Sequence, residues 1–144
     1  MNADMGDHEF RYALYPHRGT FPDCPIWKES YFFNYPLRFS PSPPPISYTA
    51  PLSLSASFVH LDSLKLAEHQ KAGSVTVVLR LVEMSGGREC AVLTFASVPQ
   101  NVYAVDLLER QVDNVRVDWD GKTTVRVYML PFKVVSLLVH FPKN

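Results

Sequence analysis

From Ser57 to Phe141 the chain repeats one pattern: short runs of alternating side chains, each closed by turn-forming residues. In Ser74 to Glu83, Val75, Val77, Leu79 and Leu81 fall on one side and Ser74, Thr76, Val78 and Arg80 on the other. A period of two belongs to a β-strand, whose successive side chains leave opposite faces of the sheet. Met84-Ser85-Gly86-Gly87 supplies residues that tolerate positive φ, and Arg88 to Ala96 returns with Ala91, Leu93 and Phe95 on one face, so these two runs are expected to form a hairpin. Asn101 to Glu109 alternates through Tyr103, Val105 and Leu107. Asp120-Gly121 is a strong hairpin turn, followed by strands over Thr123 to Leu130 and Val134 to Phe141, the latter with Val135, Leu137, Val139 and Phe141 on one side. Ser57 to Ala67 reads as one or two further strands. A helix over Leu61 to Lys71 is the competing reading there, but His60-Leu61-Asp62 and Leu64-Lys65-Leu66 alternate, and strand is preferred. Many short strands with turns between them and little or no helix predict an all-β fold, an antiparallel β-sandwich whose main strands occupy 56–144.

Upstream the signal changes. His8, Phe10, Tyr12 and Leu14 alternate with Glu9, Arg11, Ala13 and Tyr15, which predicts a first strand over 8–16, ended by Pro16. Residues 17–55 read as an irregular, Pro-rich connection: six of the twelve prolines lie between Pro36 and Pro51, a density incompatible with a central strand or a helix. The run Ser40-Pro41-Ser42-Pro43-Pro44-Pro45 has the composition of an SH3 or WW ligand, and a surface connection between core strands is the simpler reading. Within this segment Trp27 to Phe33 is aromatic enough to pack on a core as a helical turn. The whole of 1–144 reads as a single domain.

Fourteen basic residues balance fourteen acidic ones, so the chain has no electrostatic footprint for nucleic acid or an anionic membrane. The N-terminus is acidic rather than signal-like, and the apolar run Val134 to Phe141 is too short to cross a bilayer. Cys24 and Cys90 are read as free thiols in preference to a disulfide. Asn34, Asn101 and Asn114 each lack the third residue of a glycosylation sequon, in keeping with a cytoplasmic protein.

Chemistry-bearing motifs are sparse. His8, His17, His60, His69 and His140 show no zinc-ligand spacing, and they read as strand-end or partly buried residues satisfied by backbone. A glycosidase needs two carboxylates flanking the scissile bond. Asp4, Asp7 and Glu9 lie in a terminus, and Asp118 and Asp120 lie in a turn, where aspartate is favoured for its own backbone hydrogen bonds. There is no Gly-x-Ser-x-Gly elbow and no phosphate-cradling glycine loop, and Ser85-Gly86-Gly87 reads as a hairpin tip.

The N-terminal residues carry a longer pattern. Gly6-Asp7-His8-Glu9-Phe10-Arg11-Tyr12-Ala13-Leu14-Tyr15-Pro16-His17 resembles the segment that opens the C-terminal portion of many family 38 α-mannosidases. Asn34-Tyr35-Pro36-Leu37, Leu64-Lys65-Leu66-Ala67-Glu68, Val78-Leu79-Arg80-Leu81-Val82-Glu83, Asp106-Leu107-Leu108-Glu109-Arg110 and Leu130-Pro131-Phe132-Lys133-Val134 resemble later steps of that family in order, from about Ala3 to Phe141. The Leu-Leu-Glu-Arg step and the Pro-rich middle look closest to its animal cytosolic branch. The resemblance implies the C-terminal fragment of a larger enzyme, a β-domain that packs on a catalytic domain. That domain would carry the aspartate nucleophile, the acid/base residue and a divalent metal, zinc or cobalt. It implies no catalytic residue, cofactor or metal ligand in this chain itself. The parent reaction would be retaining hydrolysis of terminal α-mannose in the catabolism of oligosaccharides and free N-glycans, in the cytoplasm.

A scaffold of this kind exposes, when alone, a face meant to be covered. His8, Tyr15 and His17 at the ends of the first strand, and Trp27 with Tyr31, Phe32 and Phe33, are the candidates for that face. The rival reading is a carbohydrate-binding β-sandwich that stacks mannose-containing oligosaccharide on Trp27 or on Trp119, beside the Asp120-Gly121 turn.

Overall fold

The computed structural model describes residues 5–21, 24–36 and 50–143. The chain divides into two compact units, Met1–Arg38 and Phe39–Asn144. The run Ser40 to Pro45 lies outside the described residues.

The second unit is a sandwich of two four-stranded sheets. Its strands are β1 (Leu52–Ser55), β2 (Val59–Leu66), β3 (Ser74–Glu83), β4 (Glu89–Phe95), β5 (Asn101–Val105), β6 (Val117–Trp119), β7 (Thr124–Met129) and β8 (Val134–Pro142). The first sheet has the order β1-β4-β7-β6 and the second β2-β3-β8-β5, with every neighbouring pair antiparallel. Alternation sets what each strand buries. Leu79 and Leu81 of β3 stand beside Leu137 and Val135 of β8 in one layer, and Leu93 and Ala91 of β4 stand beside Val125 and Val127 of β7 in the other. These side chains, with Phe95, Met129 and Val139, form the buried core. The Asp120-Gly121 hairpin joins β6 to β7 as expected, with Gly121 at φ 79° and the Asp120 carboxylate accepting the Lys122 N–H at 3.2 Å.

Three expectations are corrected. Ser74–Glu83 and Glu89–Phe95 are strands but not a hairpin, because β3 belongs to the second sheet and β4 to the first. A Gly-rich turn reads alike in sequence whether the chain doubles back or crosses between layers. Crossing wins because it sets the apolar stripe of β3 against that of β4 across the core, with β8 and β7 as their in-sheet neighbours. The strand expected over Asn101 to Glu109 ends at Val105, and Leu107 lies beyond it and is exposed. Residues 17–55 are not irregular throughout. They contain β1, the edge of the first sheet paired with β4, and a helix, α1 (Ile26–Asn34).

In the first unit, residues 8–16 form no strand, and Phe10, Tyr12 and Leu14 are each at least 80% exposed. Alternation offers a face, but a strand also needs a ladder partner, and among the described residues this segment has none. Helix α1 buries none of its residues, so Trp27 to Phe33 is helical without packing on a core. Cys24 is buried, with its thiol 3.4 Å from the Phe21 carbonyl, and both cysteines are free thiols. No helix among the described residues is long and apolar enough to cross a membrane.

Candidate functional site

At one end of the sandwich, three chain segments meet: the end of β3, the turn between β7 and β8, and the turn that follows β5. Glu83, the last residue of β3, is 1% exposed. Its Oε1 accepts the Ser85 N–H at 2.8 Å and the Ser85 hydroxyl, and its Oε2 accepts the N–H groups of Gly86 and Phe132, each at 2.8 Å. Burial pushes this carboxyl's pKa up. The hydrogen bonds from the Ser85 hydroxyl and from the Phe132, Ser85 and Gly86 backbones outweigh it and hold the pKa down at about 2. One carboxylate therefore fixes both the β3–β4 crossing and the β7–β8 turn.

That turn is Leu130-Pro131-Phe132-Lys133, closed by the Lys133 N–H donating to the Leu130 carbonyl at 3.1 Å. Phe132 has φ 53°, a left-handed conformation that costs a non-glycine residue about 1–2 kcal/mol. Its ring covers Gly86, yet the residue is 67% exposed. Gly86, at φ 80°, leaves the ring its place: a Cβ there would stand 2.6 Å from the Phe132 Cζ. Gly86→Ala is accordingly expected to lower stability by about 1–2 kcal/mol in urea unfolding, from the strained φ, and to swing the Phe132 ring away. The fold should otherwise be retained, because that ring is free to move outward.

The turn after β5 is built on Asp106. Its Oδ1 accepts the N–H groups of Leu108 and Arg110, each at 2.9 Å, and its Oδ2 pairs with the Arg110 guanidinium at 2.7 Å. The backbone and side-chain hydrogen bonds of Arg110 hold the Asp106 carboxyl below its usual range. Glu109, at φ 63°, accepts the Lys65 ammonium and the Glu68 N–H, the latter at 2.8 Å. The Lys65 hydrogen bond lowers its pKa. Because β2 and β5 are opposite edges of the second sheet, this turn lies over the sheet's outer face across β8 and β3. Between it and the start of β8 is a pocket of about 330 Å³, whose walls include Val105, Leu107, Val112, Val115 and Val134, with Lys133 at the rim.

Other polar groups are occupied in holding the fold. Thr76 Oγ1 and His140 Nδ1 are 2.8 Å apart on the outer face of the second sheet, and burial lowers the His140 pKa. Gln70 ties the end of β2 to β3 through the Ala67 and Thr76 carbonyls and the Thr76 N–H. Asp118 pairs with Arg116, whose guanidinium lies 4.2 Å from the Tyr128 ring centre. Among the described residues, no group of three or more His, Cys, Asp or Glu side chains is placed to hold a metal ion.

The residues singled out from sequence are partly brought together. Tyr15 and His17 stack with ring centres 6.2 Å apart, and both are exposed. His8 precedes them in the same unit, and Trp27 lies on α1 with the Lys28 ammonium 5.2 Å from its ring centre. Trp119 is on β6, where its indole N–H donates to the Lys122 carbonyl at 2.7 Å and its ring packs against the core. Glu83, Leu107 and Phe132 were not singled out. The available signals were the Leu107-Leu108 doublet, which breaks the alternation, and an aromatic residue placed directly after Pro131 in a turn.

Residues 59–137, from the first residue of β2 into β8, match the family described as glycosyl hydrolases family 38, C-terminal beta sandwich domain. The chain belongs to that family. It is 37% identical to alpha-mannosidase 2C1 of Homo sapiens in an alignment of 144 positions that covers 95% of this chain and 13% of that protein. It is 26% identical to an alpha-mannosidase of Saccharomyces cerevisiae, over 97% of this chain and 14% of that protein. The chain thus spans about an eighth of the length of these relatives. No solved structure matches it. The resemblance read from the N-terminal residues holds, and the match to the family's sandwich domain begins beyond those residues, at β2.

Proposed function

We propose that this chain is the non-catalytic C-terminal domain of an α-mannosidase, a scaffold that packs on the part of the enzyme that hydrolyses terminal α-mannose of oligosaccharides and free N-glycans. The observation that carries this reading is the coverage of the match: 95% of this chain corresponds to only 13% of an alpha-mannosidase. The exposed, alternating Phe10, Tyr12 and Leu14 support it, because an apolar alternating segment with no ladder partner among the described residues suits pairing with other chain. His8, Tyr15, His17 and Trp27 belong to the covered face in this reading. The nucleophile, the acid/base residue and a zinc or cobalt ion belong to the catalytic domain, the partner of this one; nucleic acid and membrane are not partners. The free thiols Cys24 and Cys90 suit a cytoplasmic setting. A sugar-binding role is less well supported, since the Trp119 ring is packed against the core and its N–H is engaged.

The test is hydrolysis of an aryl α-mannoside by the purified chain, with and without cobalt or zinc. No turnover is expected under either condition. Metal-dependent turnover that survives repurification would overturn the scaffold reading.

A further inference from the structure

We propose that the end of the sandwich carrying Phe132 is a docking site for an apolar protein surface of the α-mannosidase's own polypeptide, with Phe132 as the knob and the groove between Leu107 and Val134 as the socket. This rests on the scaffold reading above and adds to it the surface through which the sandwich is held. Leu107 and Val134 line one pocket, and Leu130 and Phe132 are exposed on the tight turn that leads into Val134. A soluble domain rarely leaves such a cluster open to water without a partner for it.

Backbone strain points the same way. Phe132 is held left-handed, a conformation that asparagine or glycine adopts with less strain. Its N–H is bound by a buried carboxylate, and its ring remains mostly in water. A backbone held at a cost where it presents an exposed aromatic ring is arranged for something outside the domain. The chemistry of the occupant follows from the groove. Six of its ten lining residues are aliphatic; of the polar ones, Asp106 is already paired with Arg110 and Ser136 accepts from Arg80 at 3.4 Å, and Asn114 and Lys133 complete the lining. That suits an apolar ridge on a protein rather than a sugar, which needs converging polar groups. All four apolar residues lie within the matched span 59–137. Since the relatives it matches carry most of their length outside the match, the rest of the same polypeptide is the occupant at hand.

The experiment grafts the full chain in place of the corresponding segment of human alpha-mannosidase 2C1 and measures how fast limited proteolysis releases it, beside the thermal melting of the isolated chain. Phe132→Asn suits the left-handed backbone, so the isolated chain is expected to melt at the same temperature or higher. In the grafted enzyme, Phe132→Asn and, separately, Leu107→Ser are expected to speed release about tenfold, the effect of losing one central contact. Release at the unaltered rate in both variants would overturn this docking site and leave the scaffold reading intact. Rapid release of the unsubstituted graft would sink both. If the isolated chain sediments as a dimer that Phe132→Asn splits, a second copy is the occupant and the proposal is wrong.

Discussion

Glu83→Gln is expected to lower the stability of the sandwich by roughly 3 kcal/mol at neutral pH. The wild-type carboxylate accepts four hydrogen bonds, two on each oxygen. An amide puts a donor where two of those donors point, so bonds are lost and a buried polar group is left facing its own kind. The linkage argument gives a similar size. The folded pKa of about 2 lies below the ordinary 4.5, and such a difference corresponds to ~3 kcal/mol. A carboxyl with a depressed folded pKa binds fewer protons when folded. Its contribution is therefore complete above the unfolded value and is lost as pH falls through 4.5 toward about 2. By pH 3 about 2 kcal/mol of it should be gone. Asp106, Glu109 and Asp118 are also depressed and add acid sensitivity of their own, which wild type and variant share. The readout is therefore the difference between the two proteins in urea unfolding, which should shrink by most of its neutral value between pH 7 and pH 3. A gap that stays constant with pH would show that Glu83 is not the titrating staple described here.

Leu137→Ala should cost about 3–5 kcal/mol and lower the melting temperature by roughly 10–20 °C. Leu137 is fully buried near the middle of β8, with Leu79 of β3 and Ala104 of β5 as its ladder partners. The facing sheet closes the core above it, so little can move in to fill the space left by the lost methyl groups. The adjacent Leu138 points to the other face and is only partly buried, so Leu138→Ala should cost well under half as much. Thermal melts of the pair provide the comparison. Equal losses would mean that the two faces of β8 are not as distinct as the register requires.

Against a typical domain stability of about 5–15 kcal/mol, either of these two losses is large. They act at different levels, however. Leu137 is one of many interchangeable contributions to burial, whereas Glu83 is one carboxylate on which two turns depend, including the turn that sets Phe132.

Much of the fold was legible because alternation is local. Ser74 to Glu83, Thr123 to Leu130 and Val134 to Phe141 emerged as strands within a residue or so of their boundaries, and Ala91, Leu93 and Phe95 were assigned to the correct face. The family was legible from a run of residues near the N-terminus that lies outside the sandwich. Less visible was anything that depended on a distant partner. β1 was hidden by its shortness and by Pro51 before it, and it exists as a strand because the edge of β4 was there to pair with. His8 to Tyr15 shows the converse, an alternating segment with no ladder partner among the described residues and therefore no strand.

The candidate site was the least legible part. Phe132 and Leu107 are 25 residues apart in the sequence, and nothing in either segment announces that Leu107 shares a groove with Val134, two residues beyond Phe132. Short-range pattern was enough for the class of fold, the family, and most of which side chains turn inward. Which sheet each strand joins, the placing of β3 and β4 in opposite layers, and the Glu83 hold on the Phe132 backbone emerge only in the folded chain. Those outcomes depend on ladders, buried faces and hydrogen bonds between residues tens of positions apart, whose energies exist only once the two layers have closed.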